Sequence, residues 1–219
     1  MKKIFYSILI AITLVSASVF ANAAPLNETQ KADLYNFGIM TGDENGDLRL
    51  DDTITRAEAI KMLCVAGEIT IPEPAKDNGF PDVSDSHWAY AYVCAAKEQG
   101  LVIGDENGNF NPENEVTNEE MIKMIVCLLK YEPFAQDMGG YPAGYRTTAT
   151  RIGITKDMQL GVNAPATRND VGVMISNALD IPLMFPEDKD EQLTSYWIAD
   201  GTQGLPYITL RTTLMTVNE

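Results

Sequence analysis

The chain has 219 residues and many more acidic than basic side chains, which gives a formal net charge of −15. A surface of this sign repels phosphate backbones, so we expect no nucleic acid partner. It also cannot hold an anionic polymer by general attraction, and any anion must be gripped locally by a few cationic side chains. The length suffices for a hydrophobic core without disulfide bonds.

Residues 1–23 have the pattern of a secretory signal peptide. Lys2 and Lys3 precede an apolar stretch that runs to about Val19 and is followed by Ala21-Asn22-Ala23. This stretch is too short for a membrane span, which needs about 20 apolar residues. We therefore predict cleavage after Ala23 and an exported mature chain without a membrane span.

The same helix-start motif then occurs three times, at Thr55–Glu58, Thr117–Glu120 and Thr167–Asp170. Each copy has a threonine followed three residues later by an acidic residue, directly before an apolar run with helical spacing, which is typical of a capping box. Arg56 and Arg168 occupy the first helical position of two copies. There they stand beside backbone N–H groups that a helix start leaves unpaired, an arrangement that favours anion binding.

These motifs belong to repeated units of helix, glycine-containing loop and helix. Residues 38–62 align with residues 100–124 without a gap, and both segments contain Gly-Asp-Glu-Asn-Gly. Aligning Gly153 with Gly100 places the third unit. The predicted domains are a signal peptide (1–23), a first repeat truncated at its front (24–72), a second repeat (73–134), a divergent third repeat (135–185) and a tail (186–219).

In chain order, the predicted helices cover 27–37, 55–66, 87–99, 117–129 and 167–179, with a further helix before Gly153. The tail begins with an acidic linker over 187–191. Two apolar segments, 194–198 and 207–210, flank the turn residues 200–204 and predict a β-hairpin. Because two strands alone are marginal in water, the tail either packs on the helical body or begins a further domain.

The three cysteines, Cys64, Cys94 and Cys127, all lie in apolar helical runs. An odd number is unusual for a disulfide framework, so we predict buried thiols that behave as small hydrophobic side chains. One disulfide with one remaining thiol is the alternative.

Several motifs of the second unit, in fixed order, resemble an S-layer homology repeat. They are Phe80-Pro81-Asp82-Val83, His87-Trp88-Ala89, Tyr92-Val93, Gly100 to Gly104, Gly108-Asn109-Phe110-Asn111-Pro112 and the Thr-x-x-Glu helix start. The resemblance covers roughly residues 26–180 as three units. It implies an all-α fold in which three helix-loop-helix repeats form a pseudo-threefold spindle, here with a small β-hairpin tail.

The same resemblance implies non-covalent attachment to a Gram-positive cell wall. Proteins of this family hold secondary cell-wall polysaccharide in grooves between neighbouring repeats. This polysaccharide is attached to peptidoglycan and often carries a pyruvate ketal. The arginine of the helix start and an aromatic side chain are the usual contacts, which correspond to Arg56, Arg168 and Trp88. Tyr141 is the candidate aromatic residue of the third unit.

Physical chemistry supports these site residues. A ketal carboxylate matches the planar guanidinium fork in two charge-assisted hydrogen bonds. Gly42 and Gly104 would let the loop backbone approach a sugar closely. Asn118 replaces the arginine in the second unit and Leu26 the aromatic residue in the first. We therefore expect at most two competent grooves of three.

Other chemistries fit the sequence less well. Asp43, Asn45 and Asp47 have calcium-loop spacing, but the loop lacks its sixth-position glycine and twelfth-position glutamate, so we expect a solvated turn and no metal. His87 is the single histidine, and we expect it to help start a helix rather than serve a catalytic triad. No cofactor and no enzymatic activity are predicted. The alternatives are a surface assembly protein with non-binding grooves, in contact with other S-layer proteins, or an enzyme whose catalytic domain begins in the tail.

Overall fold

The computed structural model describes residues 24–73, 79–187, 196–202 and 204–217. The predicted signal peptide and most of the acidic linker lie outside these ranges. The elements are the helices α1 Glu28–Asn36, α2 Arg56–Ala66, α3 Tyr90–Glu98, α4 Asn118–Leu128, α5 Glu132–Asp137, α6 Ala143–Ile152, α7 Arg168–Ala178 and α8 Leu210–Val217, and the strands β1 Met184–Pro186 and β2 Tyr196–Ile198. The predicted fold class is confirmed.

All three predicted capping boxes form. In α2, α4 and α7 the threonine side chain accepts the backbone N–H of the third helical residue, whose carboxylate accepts the threonine N–H in return. A fourth box, Asn27 with Gln30, starts α1. These caps act over three residues and therefore set the helix starts independently of the rest of the fold.

The starts of α2, α4 and α7 meet at the centre of the molecule in a closed ring of backbone hydrogen bonds. Ile54 N–H donates to Ala166 O at 3.2 Å, Ala166 N–H to Val116 O at 2.8 Å, and Val116 N–H to Ile54 O at 3.0 Å. All three residues are fully buried. Because each repeat contributes one donor and one acceptor, the ring marks a pseudo-threefold axis.

Each outer helix packs on the inner helix of a different repeat: α1 on α7, α3 on α2, and α6 on α4. The inner helices α2, α4 and α7 also pack on one another. Their buried faces supply most of the hydrophobic core. Because each outer helix packs on another repeat, its start lies close to residues of two other units.

One helix starts later than predicted, and one helix was not predicted at all. α3 begins at Tyr90 rather than at His87, because residues 87–89 form a turn in which the His87 Nδ1 atom accepts the Ala89 N–H at 3.1 Å. His87 therefore helps to start the helix, as predicted. The short helix α5 was not predicted, and Pro133 lies in its first turn, where proline is tolerated.

The tail contains a two-stranded antiparallel hairpin, but its strands are β1 and β2. The prediction that residues 207–210 form the partner strand is wrong. Tyr207 makes a single bridge to Asp200, and Leu210 starts α8. The physical reason is packing: Leu210 and Leu214, four residues apart, are both buried against the helical body. The tail thus packs on the body, which was one of the two predicted alternatives.

All three cysteines are buried and form no disulfide bond with one another. Burial raises the pKa of Cys64 and of Cys127 to about 12. The prediction of buried thiols is confirmed.

Candidate functional site

Two surface clefts lie between the repeats, at Arg56 and at Arg168. The Arg56 cleft has a volume of about 170 Å³ and is lined by Arg56, Leu101, Val102, Ile103, Gly104, Glu120, Lys123, Met124 and Tyr141. The Arg168 cleft has a volume of about 240 Å³ and is lined by Gly38, Ile39, Met40, Thr41, Glu58, Lys61, Met62, Trp88 and Arg168. Five of the six predicted site residues line one of the clefts.

The two clefts are built from equivalent positions. In the Arg56 cleft, the first repeat supplies the arginine, the second supplies Glu120 and Lys123 from α4, and the third supplies Tyr141 from just before α6. In the Arg168 cleft, the third repeat supplies the arginine, the first supplies Glu58 and Lys61 from α2, and the second supplies Trp88. Each cleft therefore needs all three repeats, and each combines two cations, one carboxylate and one aromatic ring.

Arg56 is held firmly in its cleft. Its Nε–H donates to the Phe110 carbonyl oxygen at 2.8 Å, and its Nη1–H donates to Glu120 Oε1 at 2.7 Å. The guanidinium carbon lies 5.1 Å from the centroid of the Phe110 ring. These contacts fix the orientation of the guanidinium and neutralise part of its charge.

Within the described part of the chain, the hydrogen bond that holds Arg168 comes from its Nε atom. The Nε–H donates to the Leu48 carbonyl oxygen at 2.7 Å, in the same manner as Arg56 to Phe110. Its Nη1 atom is 3.9 Å from Glu58 Oε1, which is beyond hydrogen-bond distance. Its terminal nitrogens therefore face the cleft with a weaker internal partner.

The backbone at the helix starts is not an anion site, so that part of the sequence prediction is wrong. Arg56 N–H donates to Asn114 O at 2.9 Å, and Arg168 N–H donates to Asp52 O at 2.8 Å. The next N–H of each helix also bonds to a carbonyl oxygen of a neighbouring loop, and the third bonds to the capping threonine. These helix-start N–H groups are therefore not free to hold an anion in the clefts.

Both aromatic side chains are half exposed at the edges of the clefts. Trp88 is 53% exposed, and its ring stacks on that of His87 at 5.8 Å between centroids. Tyr141 is 50% exposed and meets the Tyr145 ring edge-on at 6.1 Å. Lys123 Nζ lies 5.6 Å from the centroid of the Tyr141 ring. Both rings are thus partly accessible at the clefts, that of Tyr141 with Lys123 over it.

The two predicted glycines differ in position. Gly104 lines the Arg56 cleft with a left-handed φ of 80°, and a Cβ atom there would lie 2.8 Å from the Phe80 ring. Gly42 does not line the Arg168 cleft. A Cβ atom at Gly42 would lie 2.4 Å from the Gly46 carbonyl carbon, so its small size allows the loop to close on itself.

The third equivalent position is filled. Leu26, at the place of Trp88 and Tyr141, is buried and lies against Gly172. Its N–H donates to Asn169 Oδ1 at 3.0 Å. Asn118, at the place of the arginines, is buried, and its Oδ1 atom has no hydrogen-bond partner in the described part of the chain. Val173 stands where the other clefts have a lysine.

Lys61 and Lys123 were not predicted as site residues. They occupy equivalent positions, and their identity in the aligned segments was the signal that would have revealed them. They were missed because α2 serves both clefts: Arg56 lines one, whereas Glu58 and Lys61 line the other.

The acidic loop that resembles a calcium site is a compact turn. Asp43 Oδ1 accepts the N–H groups of Asn45 at 2.8 Å and of Asp47 at 3.1 Å. Asp105 accepts the corresponding groups of Asn107 and Asn109 in the second repeat. Among the described residues, no cluster of histidine, cysteine or acidic side chains has the geometry of a metal site.

Comparison with known families assigns segments of the first and second repeats. Residues 32–60 and 79–122 match the S-layer homology domain. The chain carries S-layer homology repeats. These repeats identify a secreted protein of the bacterial cell surface, as the sequence predicted. No helix among residues that the structure describes has the length and apolar character of a membrane span.

Several relatives share this S-layer homology region. The chain is 32% identical over 200 residues to a middle cell wall protein of Brevibacillus brevis, covering 84% of this chain and 18% of the relative. It is 28% identical to a surface-layer 125 kDa protein of Lysinibacillus sphaericus, covering 92% of this chain and 19% of the relative. An endoglucanase of a Bacillus species is 32% identical over 119 residues, 51% of this chain and 12% of the enzyme. The chain thus spans less than a quarter of each relative.

Proposed function

We propose that this S-layer homology region anchors its protein to the cell wall by binding an anionic secondary cell-wall polysaccharide in the Arg56 and Arg168 clefts. A carboxylate-bearing sugar, such as a pyruvate ketal, is the ligand that the side chains suit best. The observation that carries the proposal is the convergence of an arginine, a lysine and an aromatic ring from three different repeats in each cleft.

Charge explains why the clefts, and not the surface as a whole, would bind the polymer. The chain has a net charge of −15, so an anionic polysaccharide is repelled on approach. Each cleft has two cationic side chains against one carboxylate. A partly buried guanidinium forms short charge-assisted bonds to a carboxylate, and the aromatic ring at the edge packs against the apolar face of a pyranose.

Arg56 and Arg168 are also prepared for binding before the ligand arrives. The side chain of Arg56 is only 14% exposed and that of Arg168 only 17% exposed. Because a carbonyl oxygen already orients each Nε atom, little side-chain entropy is lost when a carboxylate binds the terminal nitrogens.

A second candidate is a surface assembly role in which the clefts do not bind polysaccharide and the chain contacts other S-layer proteins. The filled third position and the pairing of Arg56 with Glu120 favour it, since both reduce the number of open cationic sites. The endoglucanase among the relatives indicates that such a region also occurs in an enzyme. The cleft side chains of this chain suit binding rather than catalysis.

Cosedimentation with purified cell-wall sacculi tests the proposal. We expect the chain to pellet with intact sacculi and to remain in solution with sacculi from which the secondary polysaccharide has been extracted. The double variant Arg56→Gln/Arg168→Gln should lose the binding, whereas Arg151→Gln, an exposed arginine outside both clefts, should retain it. Undiminished pelleting of the double variant would overturn the mechanism, and self-association without wall binding would favour the assembly role.

A further inference from the structure

The two clefts are built from equivalent positions but differ in the contacts of the arginine, in the aromatic surface and in volume. All three differences favour ligand binding in the Arg168 cleft. We propose that the Arg168 cleft is the primary polysaccharide site and that the Arg56 cleft is a secondary site restrained by Glu120. This inference rests on the proposed function and ranks the two sites within it.

The first difference is the availability of the guanidinium. In the Arg56 cleft, Glu120 already occupies Nη1 at 2.7 Å, so an incoming carboxylate must compete with an internal one. In the Arg168 cleft, the equivalent Glu58 lies at 3.9 Å. A carboxylate ligand can therefore bond the terminal nitrogens of Arg168 without first breaking a charge-assisted hydrogen bond.

Glu120 cannot easily move aside. Its Oε2 atom accepts both the N–H and the Oγ1–H of Thr117 at 2.9 Å, which completes the capping box of α4. The carboxylate that competes for Arg56 is therefore the one that starts the helix, and rotating it away would break the cap. Glu58 has the same tie to Thr55, with its Oε2 atom 2.9 Å from the Thr55 N–H, so the two carboxylates are held alike and differ in their distance to the arginine.

The second difference is the aromatic surface. The ammonium group of Lys123 lies over the ring of Tyr141, where it can make a cation–π contact and where a sugar would otherwise stack. Among the described residues, Trp88 has no lysine or arginine over its ring, although the His87 ring stacks on it. Its indole is also larger than the phenol of Tyr141. Lys61, the lysine of the Arg168 cleft, is exposed and makes no cation–π contact among the described residues.

The third difference is space. The Arg168 cleft measures about 240 Å³ and the Arg56 cleft about 170 Å³. The difference is about the volume of two water molecules. The larger cleft is thus the one in which the equivalent carboxylate lies beyond hydrogen-bond distance of the arginine.

Matched single variants test the ranking. Binding of the full chain to polysaccharide fragments released from purified sacculi is measured by titration calorimetry. We expect Arg168→Gln to weaken binding at least about tenfold, the effect of losing one charge-assisted pair, and Arg56→Gln to weaken it less than about threefold. Both substitutions remove an Nε bond to a carbonyl oxygen, and Arg56→Gln also removes the bond to Glu120, so thermal unfolding of each variant records its effect on folding separately.

Removal of the competing carboxylate should strengthen polysaccharide binding rather than weaken it. Glutamine at the third helical position also suits a capping box, so Glu120→Gln keeps the cap and frees Arg56. In the Arg168→Gln background, Glu120→Gln should restore part of the lost affinity, whereas Glu58→Gln should not. The absence of this partial recovery would contradict the restraint on Arg56.

Trp88 fluorescence provides a measurement that needs no change in either cleft. In a Trp197→Phe chain, Trp88 is the only tryptophan. Its signal should saturate at lower fragment concentration than the calorimetric heat, because the primary site fills first.

An equal or larger loss of affinity in Arg56→Gln than in Arg168→Gln would overturn the ranking and leave the proposed function in place. No loss in the double variant would overturn both.

Discussion

The guanidinium of Arg56 and the carboxylate of Glu120 form an ion pair at 2.7 Å across a boundary between two repeats. The two residues are 64 positions apart, and each stands in the first turn of its own inner helix. Glu120 thus caps α4 and joins α4 to α2 through one carboxylate. Stability and ligand binding are therefore linked at this residue.

We first predict that Glu120→Ala destabilises the chain more than Glu58→Ala. Both variants lose the carboxylate that accepts the threonine N–H in the capping box, whereas the threonine cap itself remains. Glu120→Ala also leaves the partly buried Arg56 without its 2.7 Å partner, an additional loss of about 1–3 kcal/mol. Denaturant unfolding followed by circular dichroism measures both free energies. Equal losses in the two variants would show that the ion pair contributes nothing.

Leu26→Ala should reduce stability without affecting wall binding. Leu26 fills the third position against Gly172, and removing its buried side chain leaves a cavity that costs about 2–5 kcal/mol. No arginine or lysine is exposed in its place, because Asn118 and Val173 occupy those positions. Thermal unfolding and sacculus cosedimentation give the two results. Val162→Ala, at a residue that is 73% exposed, should change neither quantity. Weaker wall binding of folded Leu26→Ala would mean that the third position takes part.

Arg211 is predicted to fasten the tail to the helical body. Its guanidinium bonds to Asp180 at 2.6 Å and to Asp33 at 2.9 Å, and it lies over the Phe37 ring. Arg211→Gln should speed amide hydrogen exchange in α8 and in residues 179–187, while exchange in α2 and α4 stays unchanged. Arg211→Lys should rescue the effect only in part, since an ammonium group cannot bond both carboxylates in the same geometry. Unchanged exchange in α8 would show that Leu210 and Leu214 suffice to hold it.

The buried thiols predict a loss of stability in alkali. The pKa of Cys64 and of Cys127 is raised by burial to about 12 in the folded chain, against about 8.5 for an exposed thiol. Above about pH 8.5 the unfolded state therefore releases protons that the folded state retains. The stability that these thiols contribute is complete below that pH and is lost as the pH rises towards 12, with a slope of up to about 1.4 kcal/mol per pH unit for each thiol.

Chemical unfolding between pH 8 and pH 11 measures this slope. The variant Cys64→Ala/Cys127→Ala should be less stable at neutral pH, because small cavities form, but its stability should fall less steeply with pH. The same steepness in variant and parent would assign the alkaline loss to other groups.

The clefts show how much of a binding site a local sequence pattern can predict. The capping boxes were predictable because a threonine and an acid three residues apart complete them without help from the rest of the fold. Arg56 and Arg168 could be named as candidates from their shared position at a helix start, and Trp88 from the resemblance to the family. That Lys61 lines the Arg168 cleft although it shares a helix with Arg56 could not be predicted, since it depends on which helix face each neighbouring repeat covers.

The wrong sequence predictions also arise from tertiary packing. The N–H groups beside Arg56 and Arg168 looked unpaired because their acceptors, Asn114 O and Asp52 O, come from loops whose approach depends on the pseudo-threefold packing. The segment 207–210 has strand-forming residues, yet Leu210 enters a helix because the core offers room for Leu210 and Leu214 together. Burial outweighs local propensity when the two conflict.

The sequence by itself determined the repeat architecture, the helix starts and the burial of the thiols, because these follow from side chains a few residues apart and from apolar periodicity. Only the tertiary structure decided which side chains meet in a cleft, which arginine has a competing carboxylate and which of three equivalent positions is filled. The physical reason is that every cleft draws its arginine, lysine and aromatic ring from three separate repeats. Their proximity arises from the packing of helices on one another, which no local pattern records.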